Sequence, residues 1–170
     1  MTHTIIVMGV SGSGKTTVGE ALADALDATF FDGDDFHPVE NVAKMRNSIP
    51  LDDADRQPWL KRLRDLIHDH IARDESVIVA CSALKQRYRD TLREGNDGLK
   101  FIYLKGDFDL IWARMQTRED HYMKADMLQS QFNALEEPSD SEATAVTIET
   151  SAPEIAEQVV SLLNHQASNK

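Results

Sequence analysis

Residues 5–16 read Ile-Ile-Val-Met-Gly-Val-Ser-Gly-Ser-Gly-Lys-Thr, and this stretch decides the fold. Four apolar residues form a strand-like run. A full G-x-x-x-x-G-K-[ST] match, Gly9 to Thr16, follows it at once, and Val18, Leu22 and Leu26 then recur at helical spacing. Glycines let a short loop turn its backbone N–H groups inward, and the helix that follows presents its positive N-terminal end. That combination cradles phosphate oxygens, with Lys15 reaching the β and γ phosphates and the Thr16 hydroxyl available to Mg²⁺. Val10, Ser11, Gly12, Ser13, Gly14 and Thr17 complete the expected nucleotide-binding set.

Outward from this loop, short β-branched runs alternate with longer helical ones. Strands are expected at 5–8, 29–32, 76–81, 100–104 and 145–149. Leu60, Leu63, Ile67 and Ile71 mark a long helix ending near Asp74. This alternation predicts an α/β fold, a five-stranded parallel sheet with helices on both faces. Ser151-Ala152-Pro153-Glu154 announces the last helix, with Ser151 as its cap. The polar stretch 136–144 reads as a loop into the last strand. No repeat or Gly/Ser linker divides the 170 residues, so one domain, 1–170, is expected.

Composition limits the partners. Eighteen Lys and Arg against 29 Asp and Glu give a net charge of -11 and a pI near 4.9, which disfavours nucleic acid and anionic membrane. The excess is uneven: residues 126–170 hold eight acids and a single base, and carry -7 of it. The one cysteine, Cys81, lies in an apolar run and reads as a small core residue in a reduced cytoplasmic setting. No signal peptide or membrane-spanning stretch is apparent.

A phosphate loop serves switches as well as enzymes. No Asp-x-x-Gly follows the third strand and no Asn-Lys-x-Asp occurs, so a guanine-nucleotide switch is disfavoured and an ATP-using small-molecule kinase is the better class. Asp32-Gly33-Asp34 ends the second strand, where ligands of a doubly wound sheet collect. Gly33 permits a turn that brings both carboxylates to the γ-phosphate, one to hold Mg²⁺-bound water and the other to take the proton of an attacking hydroxyl. A Zn²⁺ or Ca²⁺ site from Asp32, Asp34, Asp35 and His37 matches no standard spacing.

Further strings carry a family resemblance. They are Asp32-Gly33-Asp34 with His37-Pro38, Asp55-Arg56-Gln57-Pro58-Trp59-Leu60, Cys81-Ser82-Ala83-Leu84-Lys85 with Tyr88-Arg89-Asp90, and His121-Tyr122-Met123 with Gln131-Phe132. With the phosphate loop they resemble the small P-loop gluconate kinases, relatives of shikimate kinase and the nucleoside monophosphate kinases, from the first strand to about Pro138. The resemblance implies MgATP-dependent phosphorylation of D-gluconate at its 6-hydroxyl, and a homodimer. The expected catalytic residues are Lys15, Asp34 and Arg118, with Thr16 and Asp32 toward the metal. Gluconate is a polyol carboxylate, so cations are expected from Arg56, Lys85 and Arg89, and hydroxyl partners from Asp34, His37 and Ser82.

By the same resemblance a lid spans about 118–126, with Arg118 closing on the transferred phosphoryl group and Arg114 stacking on adenine. Ser48 stands where the family commonly has Gly, and Asp35-Phe36 replaces a more usual Phe-Leu. The alternatives are another small-metabolite kinase, such as one acting on shikimate, and a nucleotide-binding regulatory module.

Overall fold

The structure is a computed structural model that describes residues 2–116 and 125–168. Five parallel strands, β1 (Thr4–Met8), β2 (Thr29–Asp32), β3 (Val77–Ala80), β4 (Lys100–Lys105) and β5 (Thr144–Thr147), make one sheet in the order β2-β3-β1-β4-β5. Each expected strand is present, with ends shifted by a residue or two where the apolar run outlasts the pairing. The helices are α1 (Lys15–Leu26), α2 (Val39–Arg46), α3 (Asp53–Ala72), α4 (Gln86–Arg93), α5 (Phe108–Gln116), α6 (Ala125–Ala134) and α7 (Ala152–Ser168).

The two-residue period of the strands separates two cores. Ile5, Val7, Ile78, Ile102, Leu104 and Val146 face α1, α5 and α7, joined by Val18, Leu22, Ile111 and Val159. Ile6, Met8, Val77, Val79, Phe101 and Tyr103 face α3 and α4, meeting Trp59, Leu60, Leu63, Ile67 and Leu92. Each Leu or Ile buried here contributes about 1.5–3 kcal/mol, enough for the amphipathic stripes to fix which face each helix covers. Cys81 belongs to the second core, and burial pushes its thiol up to about 12, so it is inert as a nucleophile.

Local signals set the helix ends. Asp52 and Asp55 form a reciprocal capping box at the start of α3: the Asp55 N–H donates to Asp52 Oδ1 at 2.7 Å and the Asp52 N–H to Asp55 Oδ2 at 3.0 Å. Ser151 accepts the Glu154 N–H at 3.3 Å, as its position before α7 suggests. The strand order changes direction at β1, so the crevice between the carboxyl ends of β1 and β3 is the topological switch point. There the Gly9 N–H donates to Ser82 O at 3.3 Å, joining the loops that leave the two strands.

Candidate active site

One wall is the phosphate loop. Gly14 adopts the left-handed conformation (φ 96°) that turns the chain into α1, and no side chain among the described residues caps that helix. The amides of Lys15, Thr16 and Thr17 in its first turn have no intrahelical acceptor, so they offer donors to an anion. Lys15 Nζ folds back to donate to Gly9 O at 3.1 Å and Val10 O at 3.0 Å. Burial lowers the Lys15 pKa, while the carboxylate charges of Asp34 and Asp32 oppose that shift. Ser13 is 2% exposed and its Oγ has no hydrogen-bond partner among the described residues. Gln131 on α6 braces the loop: its Oε1 accepts the Ser11 N–H at 2.6 Å and its Nε2 donates to Ser11 Oγ at 2.8 Å.

The facing wall begins where β2 ends. Asp32 accepts the Asp34 N–H at 3.0 Å and caps a single 3-10 turn, Gly33–Phe36, so the two carboxylates do not diverge as they would in an extended strand. A Cβ at Gly33 would lie 2.6 Å from Ala80 O, and Gly33 O itself accepts the Trp59 Nε1–H at 2.7 Å. Glycine is therefore what lets this turn sit against β3. Asp34 projects into open solvent, its side chain 83% exposed. Protein around the cleft floor, then the Asp32 charge, raise its pKa; Lys15 pulls it down, and the open solvent screens all of these.

His37 follows, with its side chain 5% exposed and Nε2 3.9 Å from Asp34 Oδ1. Its ring stacks on Trp59 at 4.2 Å between centroids and 16° between planes. Burial, and then the Arg56 charge, lower its pKa to about 4, so it is neutral across the physiological range. Arg56 Nη1 donates to Leu51 O at 2.7 Å and lies 3.4 Å from Tyr88 Oη. Lys85 pairs with Asp53 at 3.3 Å, and Arg56 and Lys85 each lie 5.7 Å from the Tyr88 ring centre. Tyr88 Oη donates to Asp53 Oδ1, a bond that leads the lowering of the Asp53 pKa against the opposing effect of burial.

Lys15, Asp32, Asp34, His37 and Arg56 thus form one run along the cleft, continued by Lys85 through Tyr88. Ser82 borders the loop through its carbonyl. Arg114 is half-buried in the last turn of α5. Arg118 and residues 118–124 of the expected lid lie outside the described residues.

Arg89 requires a correction. It does not line the cleft but is wholly buried, with Nε–H donating to Glu142 at 2.6 Å, Nη1 to Ala83 O at 2.7 Å and Leu84 O at 3.1 Å, and Nη2 to Glu136 O at 2.8 Å. With four of its donors spent on the chain, it is a brace between the loop after β3, α4 and the 136–144 loop. Conversely, sequence reading gave no role to Asn41, Asp53 or Tyr88. Tyr88, three residues beyond Lys85 on a helical face, carried the only local signal of the three.

The nucleotide can be tested against these side chains. An uncapped helix end, a loop of inward amides and the orphaned Ser13 hydroxyl suit a polyphosphate. Among the described residues no three His, Cys, Asp or Glu side chains cluster as a metal site. Thr16 and Asp32 would thus share a hard cation with phosphate oxygens and water, which is the donor set Mg²⁺ prefers. Cavities of about 470 Å³ between α1 and α7, and of about 490 Å³ beside Tyr103, Gly106 and Phe132, contain none of Lys15, Asp34 or His37.

Comparison with known proteins agrees with this architecture. A model of the shikimate kinase family matches residues 11–165. The thermosensitive gluconokinase of Escherichia coli K12 is 48% identical over 147 residues, covering 86% of this chain and 79% of the relative. The thermoresistant gluconokinase of the same organism is 46% identical over 151 residues, covering 89% and 86%. A gluconokinase crystal structure from Sinorhizobium meliloti 1021 superposes with a TM-score of 0.86 at 43% identity, over 98% of this chain and 94% of that one. With strand order, phosphate loop and acidic turn all in place, the chain belongs to the gluconokinase family, a branch of the shikimate-kinase-like P-loop kinases.

Proposed function

We propose that this chain transfers the γ-phosphoryl group of ATP to the 6-hydroxyl of D-gluconate, giving ADP and 6-phospho-D-gluconate. The observation that carries this reading is that the phosphate loop bearing Lys15 and the acidic turn bearing Asp34 follow the carboxyl ends of β1 and β2 in one parallel sheet, in a chain 46–48% identical to two gluconokinases. The hydroxyl oxygen bonds to the γ-phosphorus, the bond from phosphorus to the β–γ bridging oxygen breaks, and the hydroxyl proton passes to the Asp34 carboxylate. Lys15 leaves its loop carbonyls to neutralise the transferring group. Bound Mg²⁺ would screen the phosphate charge, held through Thr16 and Asp32.

Neutral His37, Ser82 and the Asp34 carboxylate supply hydroxyl partners, and Arg56 and Lys85 the positive charge for the gluconate carboxylate. Arg118, in a lid at about 118–126, would close over the phosphoryl group, with Arg114 against the adenine. The whole chain acts as a single kinase domain, a cytoplasmic homodimer by family resemblance. No helix among the described residues is long and apolar enough to cross a membrane.

The deciding experiment measures ADP release from MgATP with D-gluconate, shikimate, a nucleoside monophosphate or no acceptor. Stimulation by D-gluconate is expected. Turnover indifferent to gluconate would overturn the substrate assignment.

A further inference from the structure

Asn41, in the first turn of α2, is 3% exposed, and nothing in the chemistry described above uses it. Its Nδ2 lies 2.8 Å from Asp55 O and 3.2 Å from His37 Nδ1. A peptide carbonyl only accepts, so the Asp55 contact fixes this atom as the amide nitrogen with its two hydrogens. An amide nitrogen has no lone pair to offer, so its second hydrogen is donated to His37. Nδ1 is therefore the unprotonated nitrogen of the neutral ring, and the single ring proton sits on Nε2, on the side that approaches Asp34. Stacking on Trp59 holds the plane in which this occurs.

We infer that Asn41 is a positioning residue: anchored to the first turn of α3, it holds His37 as the Nε2–H tautomer, so that His37 presents a donor and Asp34 an acceptor to the substrate hydroxyl. The inference rests on the proposed roles of His37 and Asp34. A sugar hydroxyl both donates and accepts. If its oxygen takes the Nε2–H, its own proton is left to point at Asp34 and a remaining lone pair can face phosphorus. With the other tautomer the hydroxyl would meet two acceptors, and only one of them could be satisfied by its single proton. Asn41 also joins α2 to α3 through the same nitrogen, so its replacement by a carboxylate loses the anchor and favours the opposite tautomer, whereas alanine removes both the anchor and the donor to His37 without offering an acceptor to the Nδ1–H form.

The test reads the His37 tautomer from side-chain ¹⁵N NMR of the substrate-free protein near pH 8, with His37→Ala to assign the signal. The Nε2–H form is expected in the wild type. In Asn41→Asp, whose carboxylate can only accept, the proton should move to Nδ1, and kcat/KM for gluconate should fall on the order of 10- to 100-fold while KM for MgATP holds. Asn41→Ala should fall less. In a His37→Ala background, Asn41→Asp should add little to the loss already present. A wild-type Nδ1–H signal, or an Asn41→Asp loss undiminished in the His37→Ala background, would overturn the inference. Should Asn41→Asp not fold, the wild-type spectrum and the Asn41→Ala cycle with His37→Ala still decide it. The spectrum needs no substrate, so it also separates failure here from failure of the gluconate assignment, which is read from wild-type turnover.

Discussion

Gln131 on α6 grips Ser11 of the phosphate loop at both ends of its amide, accepting the backbone N–H at 2.6 Å and donating to the hydroxyl at 2.8 Å across 120 residues of sequence. A glycine-rich loop has little of its own to hold it in a phosphate-ready shape, and this pair supplies an external splint. Each net hydrogen bond contributes about 0.5–1.5 kcal/mol. Gln131→Ala is therefore expected to raise KM for MgATP by about tenfold and to lower the melting temperature by only a few degrees. Gln131→Glu can still accept from the Ser11 N–H and hydroxyl, but it puts a negative charge beside the phosphates, so its deficit should shrink as salt is added. Unchanged nucleotide affinity in Gln131→Ala would show the loop to be self-supporting.

The buried Arg89–Glu142 pair has the opposite character, acting on stability rather than on turnover. Its guanidinium is wholly covered and Glu142 is 9% exposed. Burial drives the Glu142 pKa up, but hydrogen bonds from Arg89 and Arg93 outweigh this and hold it below its ordinary 4.5. Removing one partner of a buried pair costs about 3–5 kcal/mol where the other charge is left uncompensated, and because Arg93 Nη2 stays 3.0 Å from Glu142 the loss here should lie toward the lower end of that range. Arg89→Met should lower the melting temperature by many degrees without a selective loss of gluconate affinity. Since the folded pKa is depressed, the pair's contribution is full above pH 4.5 and is lost as pH falls through the folded value. The acid limb of the wild-type stability curve should flatten in Arg89→Met, as followed by thermal melts between pH 3 and 7.

The same residue shows where sequence stops being legible. The β1–loop–α1 unit is local: twelve consecutive residues contain the strand, the glycines and the cation, and the alternating runs place the other strands to within two residues. Asp32, Gly33, Asp34 and His37 are local too, since one turn carries them all. Arg89 and Lys85 look alike as cations near a strand end. Which of them turns inward depends on Glu142 and on the carbonyls of Ala83, Leu84 and Glu136, and the two acidic residues lie some fifty positions away. The Tyr88–Asp53 bond and the Asn41–Asp55 contact are likewise tertiary, joining helices whose relative placement no local pattern states.

Asp34 offers a direct test of the proton acceptor. Its surroundings raise its pKa above the ordinary 3.8, so kcat/KM should fall toward acid through a pKa higher than that of a free aspartate. Asp34→Asn should reduce kcat by about 10²–10⁴-fold, the range general-base catalysis supplies, and abolish that acid limb. A carboxyl with a raised folded pKa contributes least to stability at the pH where it is ionised. Asp34→Asn should thus melt at or above the wild-type temperature at pH 7, which separates lost chemistry from lost fold. Near-normal turnover in this variant would remove Asp34 from the mechanism.

Ser48 gives a prediction on stability alone. After α2 the Ile49 N–H donates to Lys44 O at 2.8 Å and the Ser48 N–H to Met45 O at 3.2 Å, the paired bonds of a Schellman ending. That ending requires a left-handed residue, and Ser48 occupies the position at φ 56°. For a residue with a Cβ the conformation costs about 1–2 kcal/mol, whereas glycine adopts it freely but surrenders more chain entropy on folding, about 0.5–1 kcal/mol. Ser48→Gly should therefore stabilise the protein by about 0.5–1 kcal/mol in urea unfolding at unchanged m-value, while Ser48→Val, whose branched Cβ is worst suited to positive φ, should destabilise it by more than that. Ser48 is exposed in the turn after α2 and is not among the residues assigned to the site, so neither substitution should change kcat. A Ser48→Gly protein less stable than the wild type would mean that the serine side chain contributes more than the strain it imposes.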